Sequence, residues 1–278
     1  MKKRNPPTFA RIILYVVLIV LVAVCVGPMV WALSASFKDP GDIFQYPPKL
    51  LPSPATTANY ASLLSTQPFI GWLLTSLIVA ILSSAISAFV CSLAGYAFAM
   101  FAFRGKEALF SLMFSSLAVP FVVVAVPLFV MLSRAGLTNA YFVLIVPWVA
   151  PAFGIFMMRQ FAEQSVPPDL IEAARIDGCG ELRTFWTIVF PLLRPGAGAL
   201  AVWAFVNSYN SFLWPLIAVS SPSNFTLPLG LQALYGAQNH QYNLVMAGAI
   251  LATIPALIIF IALRRQLLEG LSAGSVKG

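Results

Sequence analysis

Apolar residues in this chain gather into long unbroken runs, without the spacing of an amphipathic helix or the alternation of a half-buried strand. Residues 12–33, 70–103, 108–133 and 135–158 contain no Asp, Glu, Lys or Arg. From 195 to 263 the one ionisable group of note is His240, and polar residues between Ser220 and Asn243 divide this stretch in two. A bilayer's hydrocarbon core is about 30 Å thick, so about 20 consecutive apolar residues make a spanning helix. The pattern predicts six spans and an all-α polytopic membrane protein. It forms one transmembrane domain over 1–278, with a first span at about 12–33, core spans over about 70–263 and a polar loop at 159–195.

Composition agrees: 60% of the 278 residues are hydrophobic and 9% charged, where a soluble domain carries about 25% charged residues. The first apolar run follows Lys2, Lys3 and Arg4 as a secretory signal would, and Ala32, Ser34 and Ala35 could mimic a cleavage site. Its length, over 20 residues, exceeds the roughly 7–15 of a signal core, so it is expected to stay as an anchor. Cys25, Cys91 and Cys179 have neither disulfide nor metal spacing.

Charge sets the expected orientation, because loops rich in Lys and Arg stay cytoplasmic. With the N-terminus inside, thirteen of the 16 basic residues fall in inner segments, and only Lys38, Lys49 and Arg134 in outer ones. Both termini are then cytoplasmic, which requires an even number of spans. The net charge of +7 is accounted for by a basic face against anionic membrane lipid, with no need for nucleic acid.

No predicted span carries a charged residue, so the intramembrane carboxylate of an ion-driven carrier or proton pump is missing. The chain also lacks a Gly-rich phosphate loop ending in Lys and Ser or Thr, so it is not expected to hydrolyse ATP. A membrane enzyme would need a reactive cluster, and the lone His240 has no catalytic company. No cofactor is expected. Active transport would have to draw its work from another subunit gripping the cytoplasmic side.

The loop between the fourth and fifth predicted spans offers that grip. It holds nine of the 25 charged residues: Arg159, Glu163, Asp169, Glu172, Arg175, Asp177, Glu181, Arg183 and Arg194. Pro167 and Pro168 suit a helix start and Asp169 complements its dipole. Glu172, Ala173 and Ala174 favour helix, and Gly178 can adopt the left-handed cap that ends it. Leu182, Phe185, Trp186 and Val189 follow at i, i+3, i+4 and i+7, a single apolar stripe. Pro191 and Pro195 are expected to break the helix before the fifth span.

Glu172-Ala173-Ala174, then Gly178, Ile188 and Pro191 at their spacing, resemble the EAA motif of ABC importer permeases (Glu-Ala-Ala, three residues, Gly, nine residues, Ile, one residue, Leu-Pro). Phe190 replaces the motif's Leu. Three further stretches resemble the second permease subunit of carbohydrate importers, related to the maltose permease. They are the segment from Asp42 to Leu50 followed by Asn59-Tyr60, the run from Asn207 to Leu216, and the tail from Gly270 to Gly278.

The resemblance spans essentially the whole chain and implies a type I permease fold in a bacterial inner membrane. It implies a heterodimer with a related permease, two ATPase subunits, an extracellular or periplasmic solute-binding protein and a sugar or oligosaccharide substrate moved by alternating access. The short helix becomes a coupling helix seated on the ATPase, with Glu172, Ala173, Ala174, Asp177 and Gly178 as its contacts. The loop holding His240 becomes a surface for the binding protein. A permease for a polyamine, peptide or anion is the alternative within the same class.

In the predicted fifth span, Asn207, Ser208, Asn210 and Ser211 cluster at mid-membrane among Tyr209, Phe212 and Trp214. Unpaired polar groups are expensive there, so they must face other helices or a wet cavity. Amides and hydroxyls suit sugar hydroxyls and aromatic rings suit sugar faces, so Asn207, Tyr209, Asn210, Ser211, Phe212 and Trp214 are the expected solute path; hydrogen bonding between helices is the plainer reading. Pro120, Pro127, Pro147 and Pro151 are expected kink positions in the third and fourth spans.

Overall fold

The computed structural model describes residues 8–235 and 241–273. His240, Lys2, Lys3, Arg4 and the tail from 274 onward lie outside the described residues. The elements are helices: α1 (Thr8–Ser36), α2 (Ala58–Thr66), α3 (Phe69–Met100), α4 (Lys106–Ser115), α5 (Phe121–Arg134), α6 (Tyr141–Ile145) and α7 (Ala152–Ser165). After these come α8 (Pro168–Ile176), α9 (Glu181–Thr184), α10 (Phe190–Tyr209), α11 (Leu213–Ala218), α12 (Leu227–Ala233) and α13 (Tyr242–Ala273).

Four single stretches are long and apolar enough to cross a membrane: Arg11–Ser36, Phe69–Met100, Glu181–Tyr209 and Tyr242–Arg264. Two bent pairs add to them, Lys106–Ala118 with Phe121–Arg134 at 106° and Tyr141–Trp148 with Ala152–Ser165 at 47°. The apolar runs of the sequence fall on these helices. Pro120 and Pro151 immediately precede α5 and α7 at the two bends, as kink positions should, and Pro147 lies in the 3-10 turn before the second. Pro127 sits inside α5, which continues through it.

Two expectations about the segment after α8 are corrected. The helix does not break at Pro191 and Pro195, because Glu181 to Tyr209 is one continuous helical stretch. A π-helical turn over Phe185–Val189 precedes α10, and the Phe190 amide reaches back five residues to the Phe185 carbonyl. In a regular helix the Pro191 ring would crowd the carbonyl four residues earlier; the wider turn moves that carbonyl away, and Pro191 enters in the first turn of α10. The apolar stripe is also divided between its two edges. Phe185 and Val189 are buried, while Leu182 and Trp186 are exposed.

The chain divides into two compact units, Met1–Phe69 with Leu231–Ile254, and Ile70–Gly230 with Pro255–Gly278. In the first, buried Asn59 at the start of α2 donates to the Ser36 and Lys38 carbonyls at 2.9 and 2.7 Å. It accepts from the Asn243 amide of α13 at 2.8 Å, and the Ser36 and Tyr60 hydroxyls pair at 2.7 Å. The last carbonyl of α1, at Ser36, and that of Lys38 just beyond the helix thus find donors where the helix can no longer supply them.

The second unit holds two apolar cores. One joins Cys91 and Tyr96 of α3 to Met158 and Phe161 of α7, Ile171 of α8 and Phe185, Leu193 and Leu200 of the long helical stretch. The other gathers Val79, Ala125, Val143, Leu144, Trp214, Ala218 and Leu229. Beside the first core Arg159 of α7 binds Glu163 at 2.8 Å and Glu107 of α4 at 3.3 Å, and its guanidinium lies 4.0 Å over the Phe110 ring. Gly95 sets the spacing of α3 and α7: a Cβ there would stand 2.6 Å from both the carbonyl carbon and the Cβ of Met158. Neither backbone can move aside cheaply. Gly95→Ala is therefore expected to cost about 1–3 kcal/mol and to lower the melting temperature of the purified chain in detergent. Gly27→Ala, whose Cβ would meet nothing within 4 Å, leaves it unchanged.

Candidate functional site

Three helix interruptions in the second unit converge on one cavity of about 430 Å³. The bend before α5 supplies Leu117 and Phe121, and the bend before α7 supplies Pro147, Trp148, Pro151, Ala152 and Phe153. The end of α10 and the turn into α11 supply Trp203, Asn207, Ser211, Phe212, Leu213 and Trp214. Irregular backbone at membrane depth is tolerated only when buried in protein or lining a cavity. Here that cost is concentrated at a single place. Pro120 and Pro151 have no N–H to satisfy, and Val119 and Val149 donate to carbonyls three residues back.

The polar cluster predicted within the fifth span stands at a helix end rather than mid-helix. Asn207 Nδ2 donates to the Trp203 carbonyl at 2.8 Å and Asn210 Nδ2 to the Val206 carbonyl at 2.9 Å, so each amide bonds back to the carbonyl four residues earlier on its own helix. Four of the six predicted path residues line the cavity: Asn207, Ser211, Phe212 and Trp214. Tyr209 is buried with its ring stacked on Phe205 at 5.5 Å, and Asn210 is exposed; neither lines it.

Trp148, Phe153 and Trp203 were missed. Phe153 and Trp203 lie 4.8 Å apart between ring centroids. Trp203, Asn207 and Ser211 recur every four residues, which on a helix is one face, and that spacing could have found Trp203. Among the described residues, no lining side chain carries a charge.

Around the cavity, Trp214 Nε1 donates to the Val143 carbonyl at 2.7 Å, holding α11 to α6. Asn139 does the same for the loop after α11. Its Oδ1 accepts from the Ser220 and Ser221 amides at 2.6 and 3.1 Å, and its carbonyl accepts from the Asn224 side chain. Its backbone is left-handed, φ 59°, which Asn tolerates better than most residues.

The second candidate surface is the loop around α8. Pro168 occupies the first turn, with Asp169 there and Arg175 in the last turn, each matching the helix dipole. The helix ends in a Schellman motif: Cys179 N bonds Ala174 O at 2.9 Å, Gly178 N bonds Arg175 O at 3.1 Å, and Gly178 takes φ +76°. Arg175 Nε and Glu181 Oε1 pair at 2.9 Å across the turn. The Glu181 hydrogen bond, and then its charge, raise the Arg175 pKa above its ordinary value.

Glu172, Ala173, Asp177 and Gly178 are exposed, whereas Ala174 is buried with Ile171 in the chain's own core. Ile176, not singled out from sequence, is 86% exposed, a large apolar side chain on a polar loop.

A bundle of apolar helices interrupted at one uncharged cavity, with a capped, outward-facing short helix between two long ones, has the build of a membrane permease. Residues 91–271 match the family described as binding-protein-dependent transport system inner membrane component, and the chain belongs to that family. It is a multi-pass inner-membrane permease subunit of an ABC importer, a non-catalytic component.

The arabinooligosaccharides transport system permease protein AraQ of Halalkalibacterium halodurans is 33% identical over 258 residues, covering 92% of each chain. The lactose transport system permease protein LacG of Rhizobium radiobacter is 34% identical over 268 residues, 96% of each. Among solved structures, a chain of a bacterial ABC transporter involved in import of the acidic polysaccharide alginate superposes with a TM-score of 0.78. Its identity is 20%, over 95% of this chain and 99% of that one.

Asn139→Gly keeps the left-handed backbone accessible while removing the clasp. Losing hydrogen bonds worth about 1–2 kcal/mol should speed amide exchange at Ser220 and Ser221 roughly 5- to 30-fold, read by hydrogen-exchange mass spectrometry.

Proposed function

We propose that the chain is one of two related membrane subunits of an ATP-driven sugar or oligosaccharide importer, working with two ATPase subunits and a soluble binding protein. The observation that carries the reading is the convergence of three helix breaks on a cavity whose lining combines Trp148, Phe153 and Trp203 with Asn207 and Ser211. Amide and hydroxyl groups match sugar hydroxyls, and aromatic faces match the apolar faces of sugar rings. A lining without charge favours a neutral solute over an anion or polyamine. The permeases for arabinooligosaccharides and lactose among its relatives support the same substrate class.

In this reading the chain is a single permease domain that crosses the membrane six times, each bent pair counting as one crossing. Both termini and the α8 loop are cytoplasmic. The excess of Lys and Arg on that side supports the orientation. Exposed Glu172, Ala173, Asp177 and Gly178 dock on an ATPase subunit together with Ile176. Ala174 contributes by anchoring α8 to the α7 and α10 core. Closure of the ATPases then rocks the attached helices and exposes the cavity to alternate sides.

Trp203→Ala is expected to lower uptake of labelled oligosaccharide roughly tenfold, with the protein's membrane level and ATP hydrolysis unchanged; undiminished uptake of sugar would remove Trp203 from the path. For the docking loop, a Cβ on Gly178 meets nothing within 4 Å inside the chain. Internal packing thus permits a larger side chain, and the backbone cost is about 1–2 kcal/mol. Gly178→Val should abolish uptake while hydrolysis continues, and Gly178→Asn, which tolerates the left-handed backbone, should retain most of it. Full uptake by the Val variant would refute the docking assignment.

A further inference from the structure

The segment joining α1 to α2 folds back along the end of α1. The candidate span Arg11–Ser36 has 26 residues and is about 39 Å long. That exceeds the hydrocarbon thickness of about 30 Å, so Ser36 reaches the headgroup layer. Trp31 lies five residues, about 7–8 Å, below that end. Phe44 packs beside it, with ring centroids 6.2 Å apart, and edge-on against Tyr242 at the start of α13, 4.9 Å away.

Further along the segment, the Leu50 carbonyl accepts from Ser34 Oγ, and the Leu50 side chain shares a groove with Val26 and Val30 of α1. Several bonds hold the segment down. The Lys38 ammonium donates to the Lys49 carbonyl and Thr56 N donates to the Phe37 carbonyl at 2.8 Å. Asn59 grips the carbonyls of Ser36 and Lys38.

At this depth the segment turns Tyr46, 95% exposed, and Leu51, 76% exposed, outward. We propose that residues 43–51 form an interfacial anchor whose partner is the lipid surface, with Tyr46 and Leu51 among the headgroups and upper acyl chains. The chemistry fits that occupant. Phe44, Trp31 and Tyr242 form an aromatic group of the kind that settles at a membrane–water boundary, and the Tyr46 ring is apolar with a hydroxyl for the wet side. A water-soluble partner would have to enter the headgroup layer to reach it.

The test is a nitroxide label at Tyr46→Cys or, separately, Leu51→Cys, in a chain with Cys25, Cys91 and Cys179 replaced by alanine. The full chain is reconstituted in bilayers with its copurifying subunits. Both positions are exposed, so labelling does not disturb the core. The expected result is loss of collisions with a water-soluble nickel chelate and gain of collisions with oxygen, approaching a reference label at Val20→Cys inside α1. Collision with the nickel chelate as frequent as for a free label in water would overturn the proposal by placing the segment in solvent. Exclusion of both reagents would overturn it too, by showing that a protein covers the site.

Discussion

In hydrocarbon a peptide group without a hydrogen-bond partner costs several kcal/mol, and this one constraint organises the protein. Helices satisfy it by themselves, so any interruption must be compensated locally. Here the compensation is visible at each break. Proline at 120 and 151 removes a donor instead of orphaning it. At the end of α10 the Asn210 and Ser211 backbone amides take the Val206 and Ser208 carbonyls. The breaks then share one cavity, where remaining carbonyls can face water or a passing solute. Placing the irregular backbone around a cavity meets the hydrogen-bonding demand within an otherwise apolar body.

The spans were legible in the sequence because unbroken apolar runs have few alternatives to a bilayer, and the bends were legible because proline leaves a fixed signature. What was not legible depended on tertiary packing. The π turn over Phe185–Val189 carries the helix past Pro191, α10 continues through Pro195, and no local propensity announces such a turn. Ala173 and Ala174 are equivalent letters, yet one faces outward and the other into the core. Trp148 and Phe153 lie in an apolar run with nothing local to mark them, and only the bends bring them to the cavity. The capping signals around α8 were local and survived intact, from Pro168 at its start to Gly178 at its end.

The α8 loop and the cavity differ in how they are held. The loop is built from short-range contacts: a dipole-matched helix, a Schellman cap and the Arg175–Glu181 pair. Its conformation therefore changes little if neighbouring helices shift. The cavity is assembled from three chain segments far apart in sequence, fixed at its rim by Trp214 to Val143 and by Asn139 to the loop after α11. Its shape follows whichever helices move. The outer element is thus held by its own local contacts and the interior by contacts between distant segments.

The unbroken passage from Glu181 through the π turn to Tyr209 gives that division a length scale. Twenty-nine residues make a rod about 40 Å long, so pivoting it by roughly 5° sweeps its far tip through about 3.5 Å. That stroke is comparable to the width of a single sugar carbon with its hydroxyl. A modest swivel at one end of this strut thus displaces the chamber wall at the other by several ångströms, with no helix having to unwind.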